Sequence, residues 1–238
     1  MTTQTAENNV AGLTAWAGGL WRLPLGSSRR ALALVADRSL PAEQLQQHPA
    51  FRRRLVFAEQ IHGASIAGLE AATPPAEPVP GCDALLTQVP GLALAIRTAD
   101  CLPLFLWDPV QAVAGVAHAG WRGLAQHLPM RLIAMASERY HCRRDDLWIG
   151  IGPAIRACCY DVRDDFAPVF SAFLRRTSRR LTCDLPGYAA AECRAAGVAA
   201  GRIVDCGACT RCDPGRWHSV RAAGPAAGRL ISVMMIRR

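Results

Sequence analysis

Apolar residues in this chain fall mostly in short unbroken runs rather than in a two-residue alternation, and the runs predict strands. Ala31 to Ala36, Leu55 to Ala58, Ser65 to Leu69, Leu147 to Ile151, Ile203 to Cys206 and Leu230 to Ile236 read as such strands. Ala11 to Leu25 mixes Gly, Trp and Leu and reads as a short strand pair, and Cys82 to Thr87 opens another element. Helical spacing appears elsewhere. Pro41 to Arg54 reads as a helix, with Ser39 as cap, Pro41 in the first turn and Glu43 at its N-terminus. Leu124, Leu128, Leu132 and Met135 predict a helix over Leu124 to Tyr140, with Pro129 marking a late start or a kink. Asp164 to Leu174 and Gly187 to Ala196 complete the helices, the last stopping at Gly197. Ala71 to Gly81, rich in Pro and Ala, is a surface loop, and Met1 to Asn9 is polar and reads as frayed. Loose alternation of strands and helices predicts an α/β fold with some antiparallel pairs. No linker or repeat divides the chain, so residues 1–238 read as one domain.

The stretch from Ala95 to Gly123 organises the rest. One apolar run, Leu92 to Ile96, leads to Asp100 and Cys101, and a second, Ala112 to Ala117, leads to His118. Trp107-Asp108-Pro109 between them reads as a turn. Two adjacent buried strands would then present Cys101 and His118 side by side. Gly120-Trp121-Arg122-Gly123 adds a backbone open to close approach, a flat apolar wall and a fixed cation. His62 likewise follows a short apolar run and precedes a Gly.

Composition narrows the class. In 238 residues with about half apolar there is ample core and no wholesale disorder. No apolar run reaches the ~18 residues of a membrane span, and the N-terminus carries no secretory pattern, so a cytoplasmic protein without a membrane partner is expected. The net charge is +8 and all 27 basic residues are Arg. Their clusters (Arg52-Arg53-Arg54, Arg143-Arg144, Arg175-Arg176, Arg179-Arg180) are scattered and lack interleaved aromatics, which argues against a nucleic-acid partner and leaves an anionic substrate compatible. Ten Cys without a secretory signal do not read as a disulfide framework. Cys82, Cys142, Cys183 and Cys193 read as small core residues, and Cys158-Cys159 as packing residues rather than a redox pair.

His62, Cys101 and His118 make a set of two imidazoles and one thiolate. Such a set leaves a fourth metal position open, as in a catalytic Zn²⁺ site. A second reading makes Cys101 a nucleophile and His118 its base, with Asp100 or His62 orienting the imidazole. Metal content separates the two. Cys206, Cys209 and Cys212 are spaced like ligands but need a fourth, for which His218 is the nearby candidate; two buried thiols and an accidental third is the competing reading.

T-A-D-C-L-P (Thr98 to Pro103), H-A-G-W-R-G (His118 to Gly123), Q-I-H-G (Gln60 to Gly63), D-A-L-L-T (Asp83 to Thr87), I-G-P (Ile151 to Pro153) and C-C-Y-D-V (Cys158 to Val162) occur in one order along the chain. Together they resemble the YfiH-like, laccase-domain family, whose members are also named polyphenol oxidases or peptidoglycan editing factors. The resemblance implies a single layered α/β/α/β-type sandwich with mixed sheets. It implies zinc held by His62, Cys101 and His118, with copper as the alternative. It also implies chemistry on purine nucleosides with phosphate: phosphorolysis of adenosine, inosine or methylthioadenosine, and deamination of adenosine. Copper-dependent phenol oxidation and correction of peptidoglycan precursors are the other activities it carries. Arg97 or Arg122 would neutralise phosphate, Trp121 would stack on a base, and Arg221 and Arg229 match basic positions of the family's C-terminal segment. The chain departs from the family pattern at Ala154, Ala189 and Trp217 to Ala222, and the family's Gly-rich N-terminal stretch is not visible.

Overall fold

A computed structural model describes residues 9–10, 12–27 and 29–237. Ala31–Ala36 shows why the apolar runs behave as they do. Its six residues are all buried, and they alternate between two cores. Ala31, Ala33 and Val35 face one core, with Leu94, Ile96 and Met234 beside them. Leu32, Leu34 and Ala36 face another, closed by Leu45 and Phe51. A strand covered on both faces must sit inside a layered stack, because either face left wet would forfeit about 1.5–3 kcal/mol per large side chain.

Two mixed sheets result. The first runs Asn9–Val10, Leu13–Ala17, Leu20–Arg22, Ala31–Ala36, Leu230–Ile236, Ala93–Thr98, Leu55–Phe57. The second runs Ile203–Asp205, Trp148–Ile151, Leu102–Asp108, Val113–Ala119, Ala84–Thr87, Ile66–Leu69. Most neighbours are antiparallel, and Leu55–Phe57, Ile66–Leu69 and Ile203–Asp205 pair in parallel. Phe105, Trp107, Ala114 and Val116 of the second sheet meet Leu94, Ile96 and Met234 of the first in one core. The sheets therefore face each other directly, and helices cover only the outside. Leu45 lies on one outer side. Leu128, Leu132, Ile133 and Ala136, with Leu185, Tyr188 and Ala189, lie on the other. The α/β class with mixed sheets is as the sequence predicted.

Several elements differ from expectation. The strand beside Val113–Ala119 is Leu102–Asp108, not the run ending at Ile96, which lies in the opposite sheet. The helix expected over Pro41 to Arg54 stops at Gln47. His48 has ψ 131, because a following proline, here Pro49, disfavours helical geometry before it. Ser39 does not cap that helix; its hydroxyl donates to Asp37 Oδ1 at 2.5 Å. The helix expected from Leu124 becomes two, Trp121–Ala125 and Leu128–Tyr140, parted by left-handed His127, with Pro129 in the second helix's first turn. Asp164 to Leu174 breaks into single turns around Pro168, and Leu174 enters a two-stranded ribbon with Leu181–Cys183. Of the stretch read as frayed, residues 1–8 lie outside the described residues, while Asn9 pairs with Thr14. Cys82, Cys142, Cys183 and Cys193 are all buried. No helix among the described residues is long and apolar enough to cross a membrane.

Candidate metal centre

Strand register brings the chemical residues together. In the hairpin of Leu102–Asp108 and Val113–Ala119, His118 stands opposite Pro103 and Ala119 opposite Leu102. Cys101, one residue before the first strand, therefore lies beside the end of the second. On the other flank Ala117 pairs with Ala84, and the His118 N–H donates to the Asp83 carbonyl at 2.8 Å. Asp83, His118 and Cys101 thus share one edge of the second sheet. His62 arrives on the loop before Ile66–Leu69, and its ring centroid is 4.8 Å from that of His118, nearly perpendicular to it. One ligand atom from each of His62, Cys101 and His118 lies within 4.8 Å of the others.

Asp83 holds this arrangement. Its fully buried carboxylate meets His118 Nδ1 at 2.8 Å through Oδ1, which also accepts the His62 N–H at 3.0 Å, while Oδ2 accepts the Gly63 N–H at 2.7 Å. With Nδ1 engaged, Nε2 of His118 is left for a ligand, the usual outer-shell arrangement of a metal-bound imidazole. Asp83 opens the D-A-L-L-T motif, where spacing alone assigns it no role. The available signal was a carboxylate leading straight into an unbroken apolar strand, where a charge must be paired. Asp100, offered as the orienter of His118, does something else. Its carboxylate accepts from Thr210 Oγ1 at 2.6 Å and from the Arg221 N–H at 2.8 Å, tying the C-terminal segment to the Cys101 loop.

The loops around the centre are held in unusual backbone conformations. Gln60, His62 and Asp100 have φ of 67, 60 and 89°, each in a region non-glycine residues visit at a cost of order 1–3 kcal/mol. Two hydrogen bonds clamp the first loop: Gln60 Nε2 donates to the Arg97 carbonyl at 2.6 Å, and the Arg97 N–H donates to Gln60 Oε1 at 2.7 Å. Two glycines make room. A Cβ on Gly120 would stand 3.3 Å from Cys101 Sγ and 3.8 Å from both His118 Cε1 and His62 Cδ2. A Cβ on Gly123 would stand 2.7 Å from the Gly63 carbonyl oxygen.

Electrostatics favour ligation. Burial lowers the pKa of His62, and His118, Arg122 and Arg229 lower it further against the pull of Asp83, so its imidazole is neutral at neutral pH. Burial opposes protonation of His118, yet its hydrogen bonds to Asp83 and Cys101 outweigh this and raise it to about 9. That proton lies among carboxylate and sulfur, where a cation would take its place. Asp83 is desolvated by burial, but His118 and the Gly63 and His62 N–H groups hold its carboxyl below the usual range. Two imidazoles, a thiol, a buried carboxylate behind one imidazole and a glycine in place of an obstructing Cβ fit a bound Zn²⁺ with an open coordination position.

The open side faces a cavity of about 540 Å³. Arg97, Trp121, Arg122, Arg221 and Arg229 all line it. The Arg97 guanidinium lies 3.9 Å over the Phe57 ring, Arg122 4.5 Å over Trp121, and Arg221 4.8 Å over Tyr160. Arg221 also donates to the Asp161 carbonyl at 2.9 Å, and Arg229 to that of Gly228 at 3.1 Å. Trp121 is 38% exposed at the mouth, with the Arg122 guanidinium over its ring and the Phe166 ring centroid 5.2 Å away.

In the other cysteine motif Cys206 and Cys209 are buried and Cys212 is exposed, and His218 is not the fourth partner. Cys206 lies apart, its sulfur accepting the Ala208 N–H at 3.4 Å. His218 joins no group of potential ligands among the described residues. Cys209 and Cys212 instead gather with Cys158 and Cys159, of which Cys158 is exposed rather than packed away.

Comparison with known proteins adds four findings. Residues 33–237 match a family described as multi-copper polyphenol oxidoreductase laccase. The chain is 33% identical over 242 residues, 94% of its length and 88% of the relative's, to a purine nucleoside phosphorylase YlmD from Geobacillus stearothermophilus. It is 30% identical over 190 residues, 74% and 68% of the two lengths, to an adenosine deaminase RL5 from an unknown prokaryotic organism. The crystal structure of YlmD from Geobacillus stearothermophilus superposes with a TM-score of 0.88 at 28% identity, covering 95% of this chain and 99% of that one.

Proposed function

The chain belongs to the multi-copper polyphenol oxidoreductase laccase family, and from that membership we propose that it is a zinc-dependent enzyme of purine nucleosides, catalysing phosphorolysis of adenosine, inosine or methylthioadenosine and deamination of adenosine. The observation that carries this reading is the convergence of His62, Cys101 and His118 on the wall of a cavity that also holds Trp121 and four arginines. Relatives named purine nucleoside phosphorylase and adenosine deaminase support the substrate class. Although the family description names copper, one two-His, one-Cys centre and six His in the whole chain fall short of the ligands a multicopper oxidase requires.

Bound at these residues, Zn²⁺ supplies a Lewis acid and lowers the pKa of water towards ~7. The chain's own residues do the rest. Asp83 keeps the His118 proton on Nδ1 and fixes both histidines through three hydrogen bonds. Trp121 would meet the purine with its exposed part, Arg122 giving way over the ring or stacking beyond it. Arg97 and Arg122 stand at the same cavity and would bind phosphate, a dianion, or a developing negative charge. Burial lowers the pKa of Arg97, as expected of a cation held partly out of water. Phosphorolysis would break the bond between the base and ribose C1′ and give ribose 1-phosphate, whereas deamination would exchange the C6 amino group for water and release ammonia, so the two reactions need different placements of the nucleoside in this cavity.

Chromatography of adenosine reactions with and without phosphate tests the proposal. Phosphate-dependent adenine and phosphate-independent inosine are the expected products. A metal-replete protein that yields neither, from adenosine, inosine or methylthioadenosine, overturns it.

A further inference from the structure

The sulfurs of Cys158, Cys159, Cys209 and Cys212 lie within 4.8 Å of one another, away from the cavity centre and unused by the chemistry above. We propose that they form a second metal site, a tetrathiolate that binds one Zn²⁺ and clasps two loops of the candidate active site. Sγ of Cys212 is 3.5 Å from that of Cys158 and 3.4 Å from that of Cys159. Those separations are too long for a disulfide, whose sulfurs sit ~2.05 Å apart. They approach the edge of a tetrahedron around zinc, about 3.8 Å for a Zn–S bond of ~2.3 Å. A four-sulfur tetrahedral set selects zinc among common divalent ions.

The surroundings suit a charged thiolate cluster. Backbone hydrogen bonds from Cys212, Arg156 and Arg211 reach the Cys209 sulfur. Four thiolates around Zn²⁺ leave a net charge of −2. Two guanidinium groups hold the loops that carry them: Arg180 donates to the Cys158 carbonyl and Arg211 to the Cys159 carbonyl, each at 3.3 Å. As the ion enters, the thiol protons leave to water, and four Zn–S bonds replace four S–H bonds.

Two short segments would be joined by the ion, and each leads to the cavity. Thr210, between Cys209 and Cys212, donates to Asp100, the neighbour of Cys101. Tyr160 follows Cys159 directly and lines the cavity under Arg221. Neither sequence position nor spacing exposes this set, because the pairs 158–159 and 209–212 lie about fifty residues apart and meet only after Ala154 bridges to Cys209.

The proposal is independent of the metal at His62. Full-length protein expressed with zinc is compared by elemental analysis with Cys158→Ser/Cys212→Ser, with Cys212→Ser alone, and with Cys101→Ala. The cysteine-cluster variants are expected to lose one equivalent that Cys101→Ala retains. Cobalt substituted into Cys101→Ala should show the intense sulfur-to-metal bands of a tetrathiolate. Because Cys158 and Cys212 are exposed, wild-type protein offers a readout free of mutation. With zinc both resist alkylation, and after chelation both react. Equal zinc in all cluster variants and wild type, alkylation at the same rate with and without zinc, or a native disulfide within the set would each overturn the site.

Discussion

Replacing Asp83 by Asn changes one atom and isolates what the buried carboxylate does. The carboxylate is an acceptor only, and all three partners donate to it: His118 Nδ1 and the His62 N–H at Oδ1, and the Gly63 N–H at Oδ2. Asparagine offers one oxygen and one NH₂. With the oxygen in the Oδ1 position, the Gly63 N–H faces an NH₂ and goes unpaired, which costs about 1–3 kcal/mol in a buried site. With the amide flipped, NH₂ faces His118, and the imidazole must move its proton to Nε2, the nitrogen needed for the metal. Either way zinc binding suffers. Loss of such an outer-shell partner weakens metal affinity roughly 10- to 100-fold, or about 1.4–2.7 kcal/mol. Competition with a chromophoric chelator measures that affinity, and thermal melting of the metal-free protein measures the folding term separately. A variant that binds zinc as tightly as wild type would refute the assigned role of Asp83.

Other consequences follow from the same geometry. In metal-free protein, His118 has its pKa raised from 6.5 to about 9, so its contribution to stability is complete below pH 6.5 and is lost as pH rises through about 9; denaturant titrations at pH 6 and pH 10 should differ by on the order of 3 kcal/mol from this group, a difference absent in His118→Ala. Zinc must displace that proton and the Cys101 thiol proton together, so affinity should climb by up to about a hundredfold per pH unit while both are held, as competition titrations across pH would show. Gly120→Ala, whose methyl would stand 3.3 Å from Cys101 Sγ, should reduce zinc affinity while leaving the melting temperature of metal-free protein nearly unchanged. Arg97→Ala should depress phosphorolysis far more than deamination, and equal loss of both would remove the phosphate-binding role from Arg97.

Long continuous apolar runs announced themselves. Ala31–Ala36 and Leu230–Ile236 end where the sequence pattern ends, because a strand buried on both faces has no polar position to blur it. Partner choice was invisible for the same reason. Leu92 to Ile96 and Ala112 to Ala117 look like neighbours, yet Leu230–Ile236 from the far end of the chain pairs with the first of them. Uniformly apolar strands carry no register or sheet information, and the sharp turn at Asp100 that sends the chain between sheets is a single backbone angle. Helices were overextended where proline rules compete with periodicity, as at Pro49 and Pro168. The candidate ligands were legible because His62 and His118 each follow a short apolar run, Cys101 comes a few residues after another, and the motifs that carry them resemble those of a known family. Asp83 and the joining of Cys158 and Cys159 to Cys209 and Cys212 were not, since both depend on contacts between segments distant in sequence.

On the proposed function the cavity's chemistry depends on a metal held by His62, Cys101 and His118. Bound zinc and adenosine turnover, measured on the same preparations of wild type and Cys101→Ala, test it most directly. Cys101→Ala is expected to keep its fold, lose one equivalent of zinc and lose turnover with it. A folded Cys101→Ala protein that retains its full zinc content, or that turns over adenosine as wild type does without that ion, would contradict it.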